Sequence, residues 1–421
     1  MEDVIIIEGK NKLEGEVRIS GSKNATVALI PAAILANTPV TIVGVPQISD
    51  VYSLSKILNE LDVDVEMVKE DHLIIDPSKM KNVTLDSPYV SKLRASYYLM
   101  GALLGKYKRV KMKMPGGCYL GPRPIDLHLK GFKALGAEVT YEKGYYIIEA
   151  KELIGDKIFL DISSVGATIN IMMAAVYAKG RTTIENAAKE PEIIDVSSIL
   201  NKMGAKIRGA GTGVIIIDGV EELHGCYHEI IPDRIEASTF LIIAAAAAKD
   251  LKITNIIPQH LESLISKLTE MNVNMDINVD SIHVRESNDL KAVDIKTLPY
   301  PGFATDAQQP LVSLLTKASG NSKVIDTIYP ERFKNCLELQ RMGANINVGA
   351  GNCEVIGPSK LNGDIVSATD LRCGAALVVA GLISCGKTTI REIYHIDRGY
   401  EKLDEKLRAV GANIYREKIE F

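Results

Sequence analysis

Six times along this chain a helix-like stretch ends in nearly the same phrase. "KALGAEV" starts at 133, "NKMGAKI" at 201, "QRMGANI" at 340 and "RAVGANI" at 408, with looser copies "NELDVDV" at 59 and "TEMNVNM" at 269. The shared position falls on Asp62, Gly136, Gly204, Asn272, Gly343 and Gly411, at steps of 68 to 74 residues. Repetition this regular constrains the fold more than any other feature, because each copy must be one structural unit packed on its neighbours. A position occupied by Gly, Asn or Asp after an amphipathic run is a helix C-cap that needs a left-handed backbone. "IDLHLKGFKALGA" and "YEKLDEKLRAVGA" carry apolar residues three and four apart with charges between, the pattern of a solvated helix. "AEVTYEKGYYIIEA" and "AKIRGAGTGVIIIDG" then predict a strand, a turn and a second strand after the cap.

A second helix, alanine-rich and almost free of charge, precedes each of these. The six runs cover about 23–37, 93–106, 166–180, 234–249, 305–320 and 370–386, and such composition predicts burial on most faces. A buried helix, a surface helix and a short sheet make one repeat, and the length suits two domains of three repeats. The division predicted is 22–231 against 1–21 plus 232–421. In it, the strand pair "DVIIIEG" and "GEVRIS" at the N-terminus completes the last repeat of the second domain, whose final strand is "EKIEF".

Composition narrows the partners. A net charge of −4 gives no reason to expect nucleic acid. The six cysteines, at 118, 226, 336, 353, 373 and 385, form no CxxC pair and no zinc spacing, which suits a reducing compartment and no metal. "MEDVIIIEGKNK" does not read as a signal peptide, and the apolar run "FLIIAAAAA" is too short to span a membrane. The expectation is a cytoplasmic protein that works on small molecules, without a cofactor, a membrane or an obligate protein partner.

Cations gather where helix physics disfavours them. Lys23, Arg94, Arg234 and Arg372 open buried helices, behind the candidate caps Ser22 and Asp370 for the first and last, and the helix N-terminus is already partly positive. Either an anion binds there or each cation pairs with a carboxylate across the domain interface. Arg123 and Arg398 read as opening two surface helices among glycines. The fifth buried helix opens instead with Asp306, which is either an ordinary N-cap or a base able to take a hydroxyl proton. Together these residues suit a ligand bearing phosphate and carboxylate, while no GxxxxGK[ST] or GxGxxG supports a P-loop or dinucleotide fold. Cys118 stands in "MPGGCYLGPRPIDLH", where glycine and proline predict a loop. Arg123, five residues on, favours its reactive thiolate.

"SGSKNA", "LRAS", "PGGCYLGPRPIDLHLKGFKALGAEV", "SVGATIN", "ENAAKEPEIIDV", "PDRIEASTF", "FATDAQ", "ATDLRCGAALVVAG" and "YHIDRGYEKLDEKLRAVGANI" occur in this order along the whole chain. In these motifs it resembles the UDP-N-acetylglucosamine 1-carboxyvinyltransferases, which share their fold with the enolpyruvyl transferase of the shikimate pathway. The resemblance implies two inverse α/β barrel domains, each of three βαβαββ-type repeats, with the active site in the interdomain cleft. It implies transfer of enolpyruvyl from phosphoenolpyruvate to the 3-hydroxyl of UDP-N-acetylglucosamine with release of phosphate, the committed step of peptidoglycan synthesis.

Carried over by position, Cys118 is the proton donor and adduct former alkylated by fosfomycin, and Asp306 the candidate base. Lys23, Arg123 and Arg398 grip phosphoenolpyruvate, with Asn24 and Arg372 beside them. Asn24, Arg94, Arg123, Pro124, Ile125, Asp126, Leu127, Ile162, Ser163, Ser164, Val165, Asp306 and Ile328 match contacts to the nucleotide sugar. Ile169 stands where Glu is expected, Ile162 where some members have Lys, and "YPERF" around Arg332 replaces "ENRF". Transfer to shikimate 3-phosphate is the alternative chemistry, and a weakly catalytic nucleotide-sugar sensor the alternative class. The cysteine loop argues against the first, and retention of Lys23, Cys118, Asp306 and Arg398 against the second.

Overall fold

The computed structural model describes residues 1–116 and 125–420. The chain divides into two compact units, a first made of 21–231 and a second made of 1–20 with 232–421, each around one apolar core. In the first unit the central helices are α1 (Lys23–Ala33), α2 (Tyr98–Tyr107) and α3 (Val165–Ala175). In the second they are α4 (Arg234–Ala247), α5 (Thr305–Leu315) and α6 (Leu371–Ile383). Nearly every residue of their bodies is buried, as the lack of charge predicts.

Most of these helices stop a few residues before the apolar run does. After α1, for example, Leu35 and Ala36 bond back only three residues, so the run finishes in tight turns. The second helix starts differently, from a 3₁₀ turn over Arg94–Tyr97. Helices α2 and α3 approach closely because a Cβ at Gly101 would lie 2.2 Å from the Asn170 carbonyl oxygen, and one at Gly105 2.8 Å from that of Met173.

The surface helices of the six repeats are Ser49–Glu60, Asp126–Ala134, Pro191–Lys202, Glu262–Glu270, Lys334–Arg341 and Leu403–Ala409. All six cap positions are left-handed, with φ from 57° at Asp62 to 111° at Gly204. Each cap leads into a strand that runs antiparallel to its neighbour in a small sheet. Asp64–Lys69 pairs with His72–Asp76, for example, and Lys206–Arg208 with Val214–Asp218.

Among the described residues there are six separate sheets, five of four strands and one of three, and none closes into a barrel. In five of them a parallel edge strand borders the strand that follows the buried helix; the sixth has only a parallel bridge, Leu85 to Met112, at that place. The fold is thus mixed α/β with the central helices inside each unit and the surface helices and sheets packed around them.

The two N-terminal strands do not pair with each other. Glu2–Glu8 lies between Lys387–Arg391 and Asn413–Ile419 in the last sheet, whereas Leu13–Arg18 is the parallel edge of the fourth, beside Ala248–Thr254. Each strand takes the position that its sheet leaves open, which a reading of adjacent strands as a hairpin cannot foresee. No helix among the described residues is long and apolar enough to cross a membrane.

Candidate active site

In the first unit, Ser22 caps α1 by accepting from the Ala25 N–H at 3.2 Å, which places Lys23 in the first turn. The Lys23 ammonium lies 3.4 Å from a carboxylate oxygen of Asp50, which is buried at the start of the next helix. Lys23 thus sits at the positive end of α1 with a compensating charge from its own unit.

Three other segments meet around an aromatic pair. Arg94 lies over the Tyr97 ring at 5.7 Å, and Tyr97 meets His128 edge to face at 4.8 Å. Gly166, second residue of α3, touches both, since a Cβ there would lie 2.7 Å from the Tyr97 hydroxyl and 3.0 Å from His128 Cε1. Arg94, the start of the Asp126–Ala134 helix and the start of α3 are therefore neighbours. Ser164 caps α3 by accepting from the Ala167 N–H at 3.3 Å.

Asn170 ties this arrangement together from below. Its oxygen accepts from the Gly101 N–H at 2.7 Å, while its NH₂ donates to the Tyr97 carbonyl and to His128 Nδ1, both at 2.9 Å. Because the amide can only donate at that nitrogen, His128 Nδ1 must accept, so the ring is neutral with its proton on Nε2. Burial, helped by the Arg94 charge, pushes the His128 pKa down to about 3.

In the second unit the start of α5 meets two arginines. The helix begins at Thr305 after Ala304, which makes no capping bond, so Asp306 is not the N-cap. Its carboxylate instead lies 2.7 Å from Arg332 Nη1 through one oxygen and 3.4 Å from Arg372 Nη2 through the other. Both guanidiniums are almost fully buried. Arg332 Nη1 also donates to the Thr305 hydroxyl at 3.0 Å, and that hydroxyl donates to Asp326 at 2.7 Å. Asp326 accepts the Ile328 N–H at 2.9 Å, which fixes Ile328 close to the start of α5.

Acidic caps offset the cations at the starts of α4 and α6. Asp233 accepts from the Ile235 and Glu236 N–H groups, and Asp370 from those of Arg372 and Cys373. A carboxylate at a helix N-terminus is favourable, and here it lets an arginine occupy the same turn. Arg234 lies over the Tyr300 ring at 5.5 Å.

The model of the EPSP synthase (3-phosphoshikimate 1-carboxyvinyltransferase) family matches residues 7–407 of this fold. The chain belongs to that family. It is 58% identical over 416 residues to UDP-N-acetylglucosamine 1-carboxyvinyltransferase 2 of Listeria monocytogenes, covering 99% of this chain and 98% of that one. The protein of the same name from Bacillus anthracis is 57% identical over 415 residues, covering 99% and 97%. Among solved structures, the enolpyruvyl transferase NikO from Streptomyces tendae superposes with a TM-score of 0.90 at 27% identity, over 99% of both chains. An EPSP synthase from Acinetobacter baumannii superposes with a TM-score of 0.77 at 18% identity, over 99% and 100%, and shares the fold.

Within this member of the EPSP synthase family, Cys118, Arg123 and Pro124 lie outside the described residues. Lys23 and Asn24 are partly buried in the first turn of α1; Ile125 is buried, Asp126 exposed and Leu127 partly buried at the start of their helix. Ser163, Ser164 and Val165 are partly buried before and at the start of α3, while Ile162 is exposed. Ile169 is wholly inside the core, where an isoleucine needs no polar partner.

Several sequence expectations need correcting. Arg398 does not open a helix; it ends the short one at Tyr394–Asp397, because the next helix begins only at Leu403. The carboxylate partners found for Lys23 and Arg372 belong to the same unit as each cation. Sequence reasoning also gave no role to Arg332, Asn170 or His128. Arg332 opens no helix and so carries no positional signal, although it makes the shorter contact to Asp306.

Proposed function

We infer that this protein transfers the enolpyruvyl group of phosphoenolpyruvate to the 3-hydroxyl of UDP-N-acetylglucosamine and releases phosphate, the committed step of peptidoglycan synthesis. The observation that carries the reading is full-length identity of 57–58% to proteins of that named activity. The cation-rich helix starts suit two anionic substrates, and a nucleotide sugar and phosphoenolpyruvate as substrates support a cytoplasmic location.

Addition to the enol needs a proton at its methylene carbon and a deprotonated hydroxyl attacking the neighbouring carbon. Elimination of phosphate then removes a proton from the same methyl carbon. Cys118 delivers the first proton, and as a thiolate it forms the adduct with phosphoenolpyruvate or with fosfomycin. Asp306 accepts the hydroxyl proton.

The geometry suggests how that base becomes available. In the folded protein its two oxygens face Arg332 and Arg372. Phosphoenolpyruvate offers those guanidiniums a carboxylate and a phosphate of its own, and charge-assisted bonds to it loosen their hold on Asp306. The base is thereby freed only when the electrophile is present. Lys23, Arg123 and Arg398 grip phosphoenolpyruvate. Arg94, the 123–127 run, 162–165, Asn24, Asp306 and Ile328 hold the nucleotide sugar, with Tyr97 and His128 supporting the first of these contacts. The reaction calls for no metal or cofactor.

The deciding assay is phosphate release from phosphoenolpyruvate with UDP-N-acetylglucosamine as acceptor, in wild type and Cys118→Ala. Turnover that disappears in the variant, together with a mass increment on Cys118 after fosfomycin, is the expected result. The family model bears the name of the shikimate-pathway enzyme, so shikimate 3-phosphate is the necessary control. Phosphate release with that acceptor, and none with the nucleotide sugar, would overturn the assignment. Tight nucleotide-sugar binding without turnover would point to a sensor.

A further inference from the structure

Tyr400 is one of the largest fully buried side chains of the protein, yet its hydroxyl is polar and needs partners. Arg372 Nη1 donates to the Tyr400 hydroxyl at 3.0 Å, and the guanidinium lies 5.4 Å from the centre of the same ring. On its other side the hydroxyl is 2.7 Å from Thr239 Oγ1, which itself lies 3.1 Å from the Ile235 carbonyl oxygen.

The direction of every bond in this chain follows from the groups at its ends. A guanidinium only donates and a backbone carbonyl only accepts. The Arg372 N–H therefore points to the Tyr400 oxygen, the Tyr400 proton to Thr239, and the Thr239 proton to Ile235. The chain runs from α6 through Tyr400 to α4, and Arg372 extends it to Asp306 on α5. All three central helices of the second unit are joined by it.

Tyr400 also closes the turn that holds Arg398. Its N–H and that of Gly399 both bond to the Ile396 carbonyl, at 3.0 and 3.1 Å, so Arg398 lies between a helical turn and a buried ring. We propose that Tyr400 is the positioning residue for two of the second-unit arginines that meet phosphoenolpyruvate, holding Arg372 by its hydroxyl and Arg398 through the turn. The proposal rests on the enolpyruvyl-transfer reading above.

The chemical choice of a phenol has a reason. A carboxylate in its place would orient Arg372 equally well but would also neutralise it, leaving less charge for an incoming anion. A phenol accepts the bond without carrying charge. Burial pushes the Tyr400 pKa above its ordinary value, so the acceptor remains neutral.

The test is steady-state kinetics of the full-length enzyme carrying Tyr400→Phe, which removes one oxygen and keeps the ring. KM for phosphoenolpyruvate should rise about tenfold, the effect of losing one hydrogen bond to a charged group. KM for UDP-N-acetylglucosamine should stay within about twofold, since only Asp306 among its expected contacts touches this chain, and Arg332 holds that carboxylate by the shorter bond, 2.7 Å against 3.4 Å. Thr239→Val removes the next link and should cause a smaller rise in the same constant alone; it decides the question if phenylalanine is not tolerated. Unchanged KM for phosphoenolpyruvate in a folded variant overturns the proposal, as does an equal rise in both constants with a lowered melting temperature, the mark of a purely structural residue. An inactive wild type would overturn the underlying reading instead.

Discussion

Protonating His128 should destabilise the first unit, by an amount that can be worked out. In the folded protein Nδ1 accepts from Asn170, so a proton there would face a donor. Burial, then the Arg94 charge, lowers the pKa from 6.5 to about 3. Between those values the unfolded chain binds a proton that the native protein does not. The stabilising contribution is therefore complete above pH 6.5 and is lost progressively as the pH falls toward 3.

At about pH 5 the loss relative to about pH 8 is the distance from the unfolded pKa, roughly 1.5 units, or about 2 kcal/mol. Other groups titrate in the same range, so the quantity to measure is a difference between proteins. His128→Asn offers an uncharged acceptor near the Nδ1 position, and its packing defect affects both pH values alike. The chain has no tryptophan, so urea unfolding is best followed by far-ultraviolet circular dichroism. Wild type should lose about 2 kcal/mol more than the variant between the two pH values. Equal losses in the two proteins would refute the buried neutral imidazole, and with it the direction assigned to the Asn170 bond.

A second pH effect has the opposite sign. Burial raises the Glu236 pKa from 4.5 to about 7 despite its contact with Lys406, so the native state keeps a proton that the unfolded chain gives up and stability falls as pH rises from 4.5 to 7. Glu236→Gln should flatten that fall, and an unchanged slope in urea titrations across this window would show that the carboxyl is ionised throughout. Gly101→Ala places a methyl 2.2 Å from a backbone oxygen of α3 that cannot swing aside; the expected cost is about 1–3 kcal/mol, and a melting temperature equal to that of wild type would contradict the helix packing described.

Much of the fold is legible in the sequence because its signals are local. A left-handed cap favours Gly, Asn or Asp, and the six that recur at one place in each repeat mark the repeats by residue type. A helix enclosed on all sides carries almost no charge beyond its first turn, so α1 to α6 are equally visible.

Partnership is the part that stays hidden. Strands Glu2–Glu8 and Leu13–Arg18 are adjacent in the chain and look like a hairpin, yet they belong to different sheets because open edges far along the sequence accept them. Asp306 has the composition of a cap and is instead held by two arginines. Arg332 and Tyr400 lie in segments that the sequence singles out, yet their roles stay hidden because they depend on which side chains lie within three ångströms. Backbone preference is a property of each short segment, whereas hydrogen bonding and charge compensation depend on distances that only the folded chain sets.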